Sequence, residues 1–281
     1  MSIPLVSVKN LNWTYVGSDI PALNNINFEL QPGEVIGITG PSGAGKTTLC
    51  MTMNGLIPGN FRGEYQGDVK IMGKNTRNLE VCDLVQEVGL VFQDPETQFM
   101  GLSVKEELIF ALENLGLSDT EISSRISFAL NLVHMEDFLD HSPFDLSGGQ
   151  KQKVAIACAL ALKPSVLVLD EPTSELDPIG AVEVFTVLSE LKKHQNLGLI
   201  LVSHATEELA AYCDRILLLS EGNQICLKTT YDFFSDLDLL YEFGVQVPQI
   251  VELFGEKIAS HKTKLPITLP EAVDYFKRQS I

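Results

Sequence analysis

Apolar and polar positions change period several times along the chain. Between residues 5 and 30, short apolar stretches (LVSV, LNWTY, INFEL) are separated by polar turns, a pattern that predicts short strands. Val35–Thr39 is a compact apolar strand ending at Gly40, Lys46–Asn54 suits a helix, and Val69–Met72 and Val88–Phe92 predict further strands. After Gln93 the period lengthens. Ser103-x-x-Glu106 has the spacing of a capping box, and Val104, Leu108, Ala111 and Leu115 follow at helical intervals. Ser118-x-x-Glu121 opens a second helix in the same way, so the segment from about 94 to 163 predicts a helical insertion.

The earlier alternation then resumes. Val166–Leu169 is a continuous apolar run, as expected of a strand buried on both faces. Ala181–Lys193 predicts a helix, Leu199–Val202 a strand, Glu207–Tyr212 a helix and Ile216–Leu219 a strand, with a turn at Glu221-Gly222-Asn223 leading into Ile225–Leu227. Strands alternating with helices place the chain in the α/β class, with a mostly parallel sheet covered on its faces. Past Leu237 the pattern is helical, with Pro248 and Pro270 suited to first turns. There is no internal repeat and no low-complexity linker. The expected organisation is one domain over 1–236 and a small helical extension over 237–281.

Composition narrows the class. At 281 residues, 45% hydrophobic and 20% charged, the chain reads as an ordinary globular protein with a substantial core. Its 20 basic and 37 acidic residues give a formal net charge of −17, which disfavours approach to nucleic acid or anionic lipid. No nucleic-acid partner is expected. Five scattered cysteines (Cys50, Cys82, Cys158, Cys213, Cys226) form no CxxC and suit buried thiols in a reducing compartment. The start, MSIPLVSVKN, lacks the features of a signal peptide. The longest apolar run, Val154–Leu162, is far short of the ~20 residues a spanning helix needs. The expectation is a chain that does not cross a membrane but can sit against a protein that does.

Candidate chemistry is concentrated in two motifs. Gly40-Pro41-Ser42-Gly43-Ala44-Gly45-Lys46-Thr47, followed by Thr48, fits G-x-x-x-x-G-K-[ST] between a strand and a helix. Such a loop turns successive backbone N–H groups toward phosphate oxygens, and the helix N-terminus adds its positive end. Lys46 can reach the β- and γ-phosphates, and the Thr47 hydroxyl can ligate Mg²⁺. The strand Val166–Leu169 ends in Asp170 and Glu171, which places Asp170 to hold the Mg²⁺ shell and Glu171 to accept a proton from water. Adjacent carboxylates at a strand end are commonly plain solvated charges; the phosphate loop gives this pair its meaning.

A second glycine-rich turn, LSGGQ, stands at Leu146–Gln150. Ser147-x-x-Gln150 is itself a capping box, which accounts for Ser147 and Gln150 as a helix start. It leaves Gly148 and Gly149 unexplained, because glycine weakens a first turn unless something must come close to the backbone.

The ordered set Tyr15, GPSGAGKTT, Gln93, LSGGQ, VLVLDEP, SELD and His204 resembles the nucleotide-binding domain of ATP-binding cassette (ABC) proteins over about residues 3–235. The resemblance implies a P-loop NTPase fold of ABC type: a RecA-like sheet, an N-terminal antiparallel β subdomain and the helical insertion. It further implies that two such domains pair head to tail around two ATP, each LSGGQ (Ser147, Gly148, Gly149, Gln150) facing the nucleotide on the partner's phosphate loop. By the same resemblance Tyr15 stacks on adenine, Gln93 senses Mg²⁺ and the attacking water, Asp177 crosses the dimer interface, and His204 contacts the γ-phosphate. The residue types alone allow plainer roles: a half-buried strand tyrosine, a polar strand end, an N-cap before Pro178 and a structural histidine. His134, His141, His194 and His261 are expected to be structural. No core motif is degenerate, so a hydrolysing subunit using ATP and Mg²⁺ is expected.

The segment Gln93–Phe99 with the Val104–Leu115 helix, and the tail VPQIVELFGEKI and LPITLPEAVDYF, are similar to ATPase subunits of energy-coupling factor (ECF) importers of vitamins or metal ions. That similarity implies a membrane coupling subunit, a substrate-binding membrane protein and a peripheral position on the cytoplasmic face of the cell membrane. The alternatives are a conventional ABC importer ATPase served by a solute-binding protein, or a soluble ABC ATPase of translation or repair. A P-loop small-molecule kinase would leave LSGGQ, Asp177 and His204 without a role.

Overall fold

A computed structural model describes residues 3–193, 196–258 and 266–279. Its first strands are β1 (Val6–Tyr15), β2 (Leu23–Leu30) and β3 (Val35–Thr39). The stretches LVSV and LNWTY, expected as separate strands, are one: the polar interval Lys9-Asn10 is a bulge, with Asn10 at φ 48 and a register shift on both flanks of β1. Helix α1 (Lys46–Met53) and the short turn α2 (Leu56–Gly59) lead to β4 (Gly63–Ile71), which is longer than its apolar core predicts. Pairing with β1 along its polar half extends it. After β5 (Lys74–Asn75), α3 (Val81–Leu84) and β6 (Val88–Val91), the expected helical segment contains α4 (Val104–Glu113), α5 (Asp119–Val133) and α6 (Gly148–Ala161).

The caps of these helices differ. Ser147 accepts from Gln150 N while the Gln150 side chain accepts from Ser147 N, a complete capping box. At Ser103 and Ser118 only the serine half forms, because Glu106 turns to Leu102 N and Glu121 to Arg125.

The second half runs β7 (Val166–Asp170), α7 (Pro178–Leu191), β8 (Gly198–Val202), α8 (Thr206–Tyr212), β9 (Arg215–Ser220) and β10 (Asn223–Thr229). It closes with α9 (Thr230–Phe234), α10 (Leu237–Glu242), α11 (Gln249–Ile258) and α12 (Leu269–Gln279). Pro270 lies in the first turn of α12, whereas Pro248 sits one residue ahead of α11 and offers its carbonyl to Glu252 N.

Ten strands form one sheet in the order β5-β4-β1-β2-β10-β9-β3-β8-β7-β6. The run β9-β3-β8-β7-β6 is parallel, and β5-β4-β1-β2 is antiparallel. Strict alternation along the central strands divides the core. Leu167, Leu169, Leu199, Leu201, Ile216 and Leu218 face α4–α7, while Val166, Val168, Ile200, Val202, Leu217 and Leu219 face α1 and the antiparallel strands. Both faces are covered, as the unbroken apolar runs require. The first core continues into the tail through Leu240, Val245, Val251 and Ile267, and Phe254, Ala272 and Tyr275 form a small cluster of their own.

Among the cysteines, Cys50 and Cys213 are buried and Cys158 and Cys226 half-buried, but Cys82 is exposed on α3, against the expectation of buried thiols. His134 pairs with Glu190 at 3.3 Å and His141 packs on Phe138. His194 and His261 lie outside the described residues.

Candidate active site

Strands β3, β8 and β7 are neighbours, and Ile38, Val202 and Asp170 stand in register near their C-terminal ends. Three loops therefore meet: residues 40–45 after β3, 203–205 after β8 and 171–177 after β7. Converging loops at the carboxyl edge of a parallel sheet make the usual ligand crevice of such folds.

The first loop owes its path to two glycines. A Cβ on Gly40, at φ +142, would come within 1.9 Å of Leu219 O, and one on Gly45, at φ +98, within 2.4 Å of Ala22 O. Gly45 is the N-cap of α1, so Lys46 and Thr47 occupy its first turn. Lys46 is buried, and its Nζ donates to Gly40 O at 2.9 Å and Pro41 O at 3.1 Å. Burial lowers its pKa, against which the Glu171 and Asp170 carboxylates pull upward. Ser42 and Gly43 are exposed at the loop's outer edge, and Ala44 is buried beneath it.

Asp170 is buried, and burial raises its pKa; a hydrogen bond from the Thr47 hydroxyl opposes that rise. A hydroxyl and a carboxylate side by side are hard oxygen donors of the kind Mg²⁺ accepts alongside phosphate and water. Among the described residues, no group of three or more His, Cys, Asp or Glu forms a metal cage. Glu171 has its backbone in the left-handed region at φ 50, held by Glu171 N donating to Val202 O at 2.9 Å and Ser174 Oγ donating to the Glu171 carbonyl at 3.1 Å. A non-glycine residue held this way is strained, a condition common at functional sites.

His204 joins the loops. Its Nε2 lies 3.1 Å from Lys46 Nζ and 3.2 Å from Glu171 Oε1. A single ring nitrogen either accepts from the lysine or donates to the carboxylate, so the tautomer selects the bond. At the mouth of the loop, the Tyr15 hydroxyl is 3.2 Å from Thr48 Oγ1, and its ring meets Phe61 edge-on at 6.2 Å. Phe61 extends the aromatic surface beside Tyr15. Nothing in the sequence around it, an isolated Phe between Asn60 and Arg62, sets it apart.

Gln93, Asp177 and the LSGGQ turn have hydrogen-bond partners of their own, away from these residues. Gln93 Nε2 donates to Glu175 Oε1 at 3.2 Å, on the loop that follows Glu171. The two line a cleft of about 310 Å³ with Lys151, Pro172, Leu176 and Gly148, so the glutamine and the LSGGQ turn share one cavity. Asp177 accepts from Gly180 N at 2.7 Å and caps α7, the plain role its place before Pro178 allows. One LSGGQ glycine has a structural cause as well. A Cβ on Gly149 would lie 2.9 Å from Gly180 Cα, because α6 and α7 cross there backbone to backbone. Gly148 would meet only the Leu176 side chain, at 3.1 Å, and is exposed.

Comparison with known proteins places the chain in a family. The ABC transporter family model matches residues 23–174. A putative ABC transporter ATP-binding protein of Pyrococcus horikoshii is 43% identical over 97% of this chain and 96% of its own length. The energy-coupling factor transporter ATP-binding protein EcfA1 of Enterococcus faecalis is 39% identical over 91% of this chain and 88% of its own. Among solved structures, cbiO1 of Clostridium perfringens, described as part of the ABC transporter complex cbiONQ, aligns with a TM-score of 0.75 and 31% identity, covering 90% of this chain and all of that one. A dimeric, post-hydrolysis ATP-binding cassette bound to ADP and Pi aligns at 0.67 and 30%, covering 80% and 98%. No described helix is long and apolar enough to cross a membrane. The chain belongs to the ABC transporter family, as an ATP-binding ATPase subunit.

Proposed function

We propose that this chain is the ATPase of an ECF-type importer, taking up a vitamin or metal ion through membrane-embedded partners, and that it works as a head-to-tail dimer enclosing two ATP. The observation that carries the reading is the separation within one chain: Lys46, Asp170, Glu171 and His204 converge, while Gly148 of the LSGGQ turn lines a cleft with Gln93 and Glu175. A signature turn with no nucleotide of its own to serve suits a partner's.

In this reading Lys46 would hold the β- and γ-phosphates, and Thr47 and Asp170 would hold Mg²⁺, whose chemistry there would be to neutralise charge on the phosphate oxygens. Glu171 takes the proton of the attacking water. His204, already within reach of both Lys46 and Glu171, bonds the γ-phosphate and keeps the carboxylate oriented. Tyr15, with Phe61 beside it, supplies the adenine platform, and Gln93 links the site to the helical segment. Asp177 and the LSGGQ residues contribute to the partner's site.

The membrane partner docks between the Gln93–Phe99 segment, α4 and α6. A cavity of about 240 Å³ opens there, lined by Phe92, Gln98, Glu107, Phe110 and Cys158. Around it Met100, Leu102 and Phe110 are exposed, an apolar rim of the kind that marks a protein interface. Glu107 is buried at its base, accepting from Met100 N and Gly101 N and so fixing the rim. A chain of net charge −17 has little other means of holding to an anionic membrane surface. The likeness to EcfA1 and to cbiO1 favours the ECF type over a conventional importer. The tail from residue 237 onward serves as the extension that those ATPase subunits carry.

Isolation from detergent-solubilised membranes tests the reading. The chain should co-purify with a multi-span membrane protein, and reversing the charge of Lys105 and Glu113 on α4 should release it while basal ATPase persists. Recovery with a periplasmic-type solute-binding protein would favour the conventional importer, and attachment to protein-free liposomes would defeat docking through this groove.

A further inference from the structure

We propose that Glu208 is a positioning residue for hydrolysis: its carboxylate ties the loop carrying Glu171 to the turn carrying His204. The proposal rests on the reading of Glu171 and His204 as the catalytic pair. It concerns a residue that no motif covers.

The two side chains meet at 3.2 Å, yet they come from different strands. At the strand ends, the Glu171 N–H bond to Val202 O joins the two loops. Beyond that point each loop runs toward solvent and needs a further tie if the contact is to keep its distance. Glu208, in the first turns of α8, provides one. Thr173 Oγ1, two residues after Glu171, donates to Glu208 Oε2 at 3.3 Å. Glu208 N donates to Ala205 O at 3.2 Å, one residue after His204, and the Ser203 hydroxyl, immediately before His204, acts on the same carboxylate to lower its pKa. Ser203 Oγ accepts from Ala205 N at 3.0 Å, which closes the turn that carries His204. The helix beneath is anchored by buried Thr206, Leu209 and Ala210, so the carboxylate has a fixed base.

A glutamate early in a helix is ordinarily a solvated charge favoured by the helix dipole, which holds its pKa down. Glu208 departs from that. Burial, aided by the neighbouring Glu207, pushes it up to about 7 against the opposing effect of the Thr173 and Ser203 hydroxyls. A carboxylate kept in a half-buried place against that cost is held by what it binds.

The test compares ATP turnover, KM and melting temperature in full-length variants. Glu208→Leu should lower kcat about ten- to hundredfold with KM for ATP within about twofold, since misplacing a catalytic pair by about 1 Å has costs of this order. Glu208→Gln, which keeps the shape and an acceptor oxygen, should recover most of the loss. Thr173→Val should lower kcat severalfold at unchanged melting temperature, which keeps the test decisive should Glu208→Leu fold poorly. The double variant Thr173→Val/Glu208→Leu should fall no further than Glu208→Leu alone. Unchanged kcat in Glu208→Leu or in Thr173→Val, or losses that multiply in the double variant, would overturn the proposal. Glu171→Gln is measured alongside: normal turnover there overturns the catalytic reading itself, whereas an inactive Glu171→Gln beside a normal Glu208→Leu overturns the positioning role alone.

Discussion

His204 Nε2 lies 3.2 Å from Glu171 Oε1 and 3.1 Å from Lys46 Nζ, so one imidazole spans the carboxylate after β7 and the lysine after β3. The strand order β3-β8-β7 makes this possible by placing the histidine's strand between the other two. In the proposed function, binding and proton transfer are then adjacent roles within a single crevice.

Replacing the carboxylate tests this division. Glu171→Gln should bind ATP with near-normal affinity and lose on the order of 10²–10⁴ in turnover, the range for a positioned acid–base group. ATP should then hold the dimer together, visible by size-exclusion chromatography. Normal hydrolysis would move the base elsewhere.

The two LSGGQ glycines should respond differently to alanine. Gly149→Ala forces a Cβ against Gly180 Cα and should destabilise the protein by about 1–3 kcal/mol, as overpacking does, outweighing its gain in helix propensity. Gly148→Ala meets only the movable Leu176 side chain, so its melting temperature should hold while ATP hydrolysis falls. Thermal denaturation and ATPase assays on the two variants separate packing from ligand approach. Equal melting temperatures for both would contradict the backbone contact.

Glu208 sets a pH dependence of stability. Its folded-state pKa, about 7, lies above the ordinary 4.5, so the folded chain holds this proton more tightly than the unfolded chain. The resulting stabilisation is full below about 4.5 and is lost as pH rises through 7. Glu208→Gln has no such proton. Its melting temperature relative to the unsubstituted protein should therefore climb between pH 4.5 and 7 and level off above. A difference independent of pH would place Glu208 in a solvated setting.

Much of this was legible in the chain. The apolar runs at Val35–Thr39 and Val166–Leu169 mark central strands because burial on both faces leaves no polar alternation to obscure them. The GPSGAGKTT loop is legible for a related reason: Gly40 and Gly45 are required by backbone carbonyls that a side chain would strike. Strand β1 was divided wrongly because Lys9-Asn10 is polar, and a bulge and a turn present the same local pattern. Gly149 shows the opposite error. Its cause is Gly180, thirty-one positions away, and no local spacing reports a helix crossing. Phe61, Glu175 and Glu208 were unreadable for the same reason, since each acquires its meaning from a residue on another loop.

The central claim, that LSGGQ completes a partner's site, is tested most directly by mixing two inactive variants. Ser147→Arg leaves its own phosphate loop sound and spoils the signature, while Lys46→Ala does the reverse and should weaken ATP binding by about 1.5–3 kcal/mol. Each alone forms only defective sites. A mixed dimer contains one site with both defects and one with neither. ATPase activity should therefore return on mixing, measured on dimers purified through two different affinity tags, or across a heterodimer where the natural partner differs in sequence. Tagged mixed dimers that form yet stay inactive, or full activity in the isolated monomer, would contradict the sharing of sites between subunits.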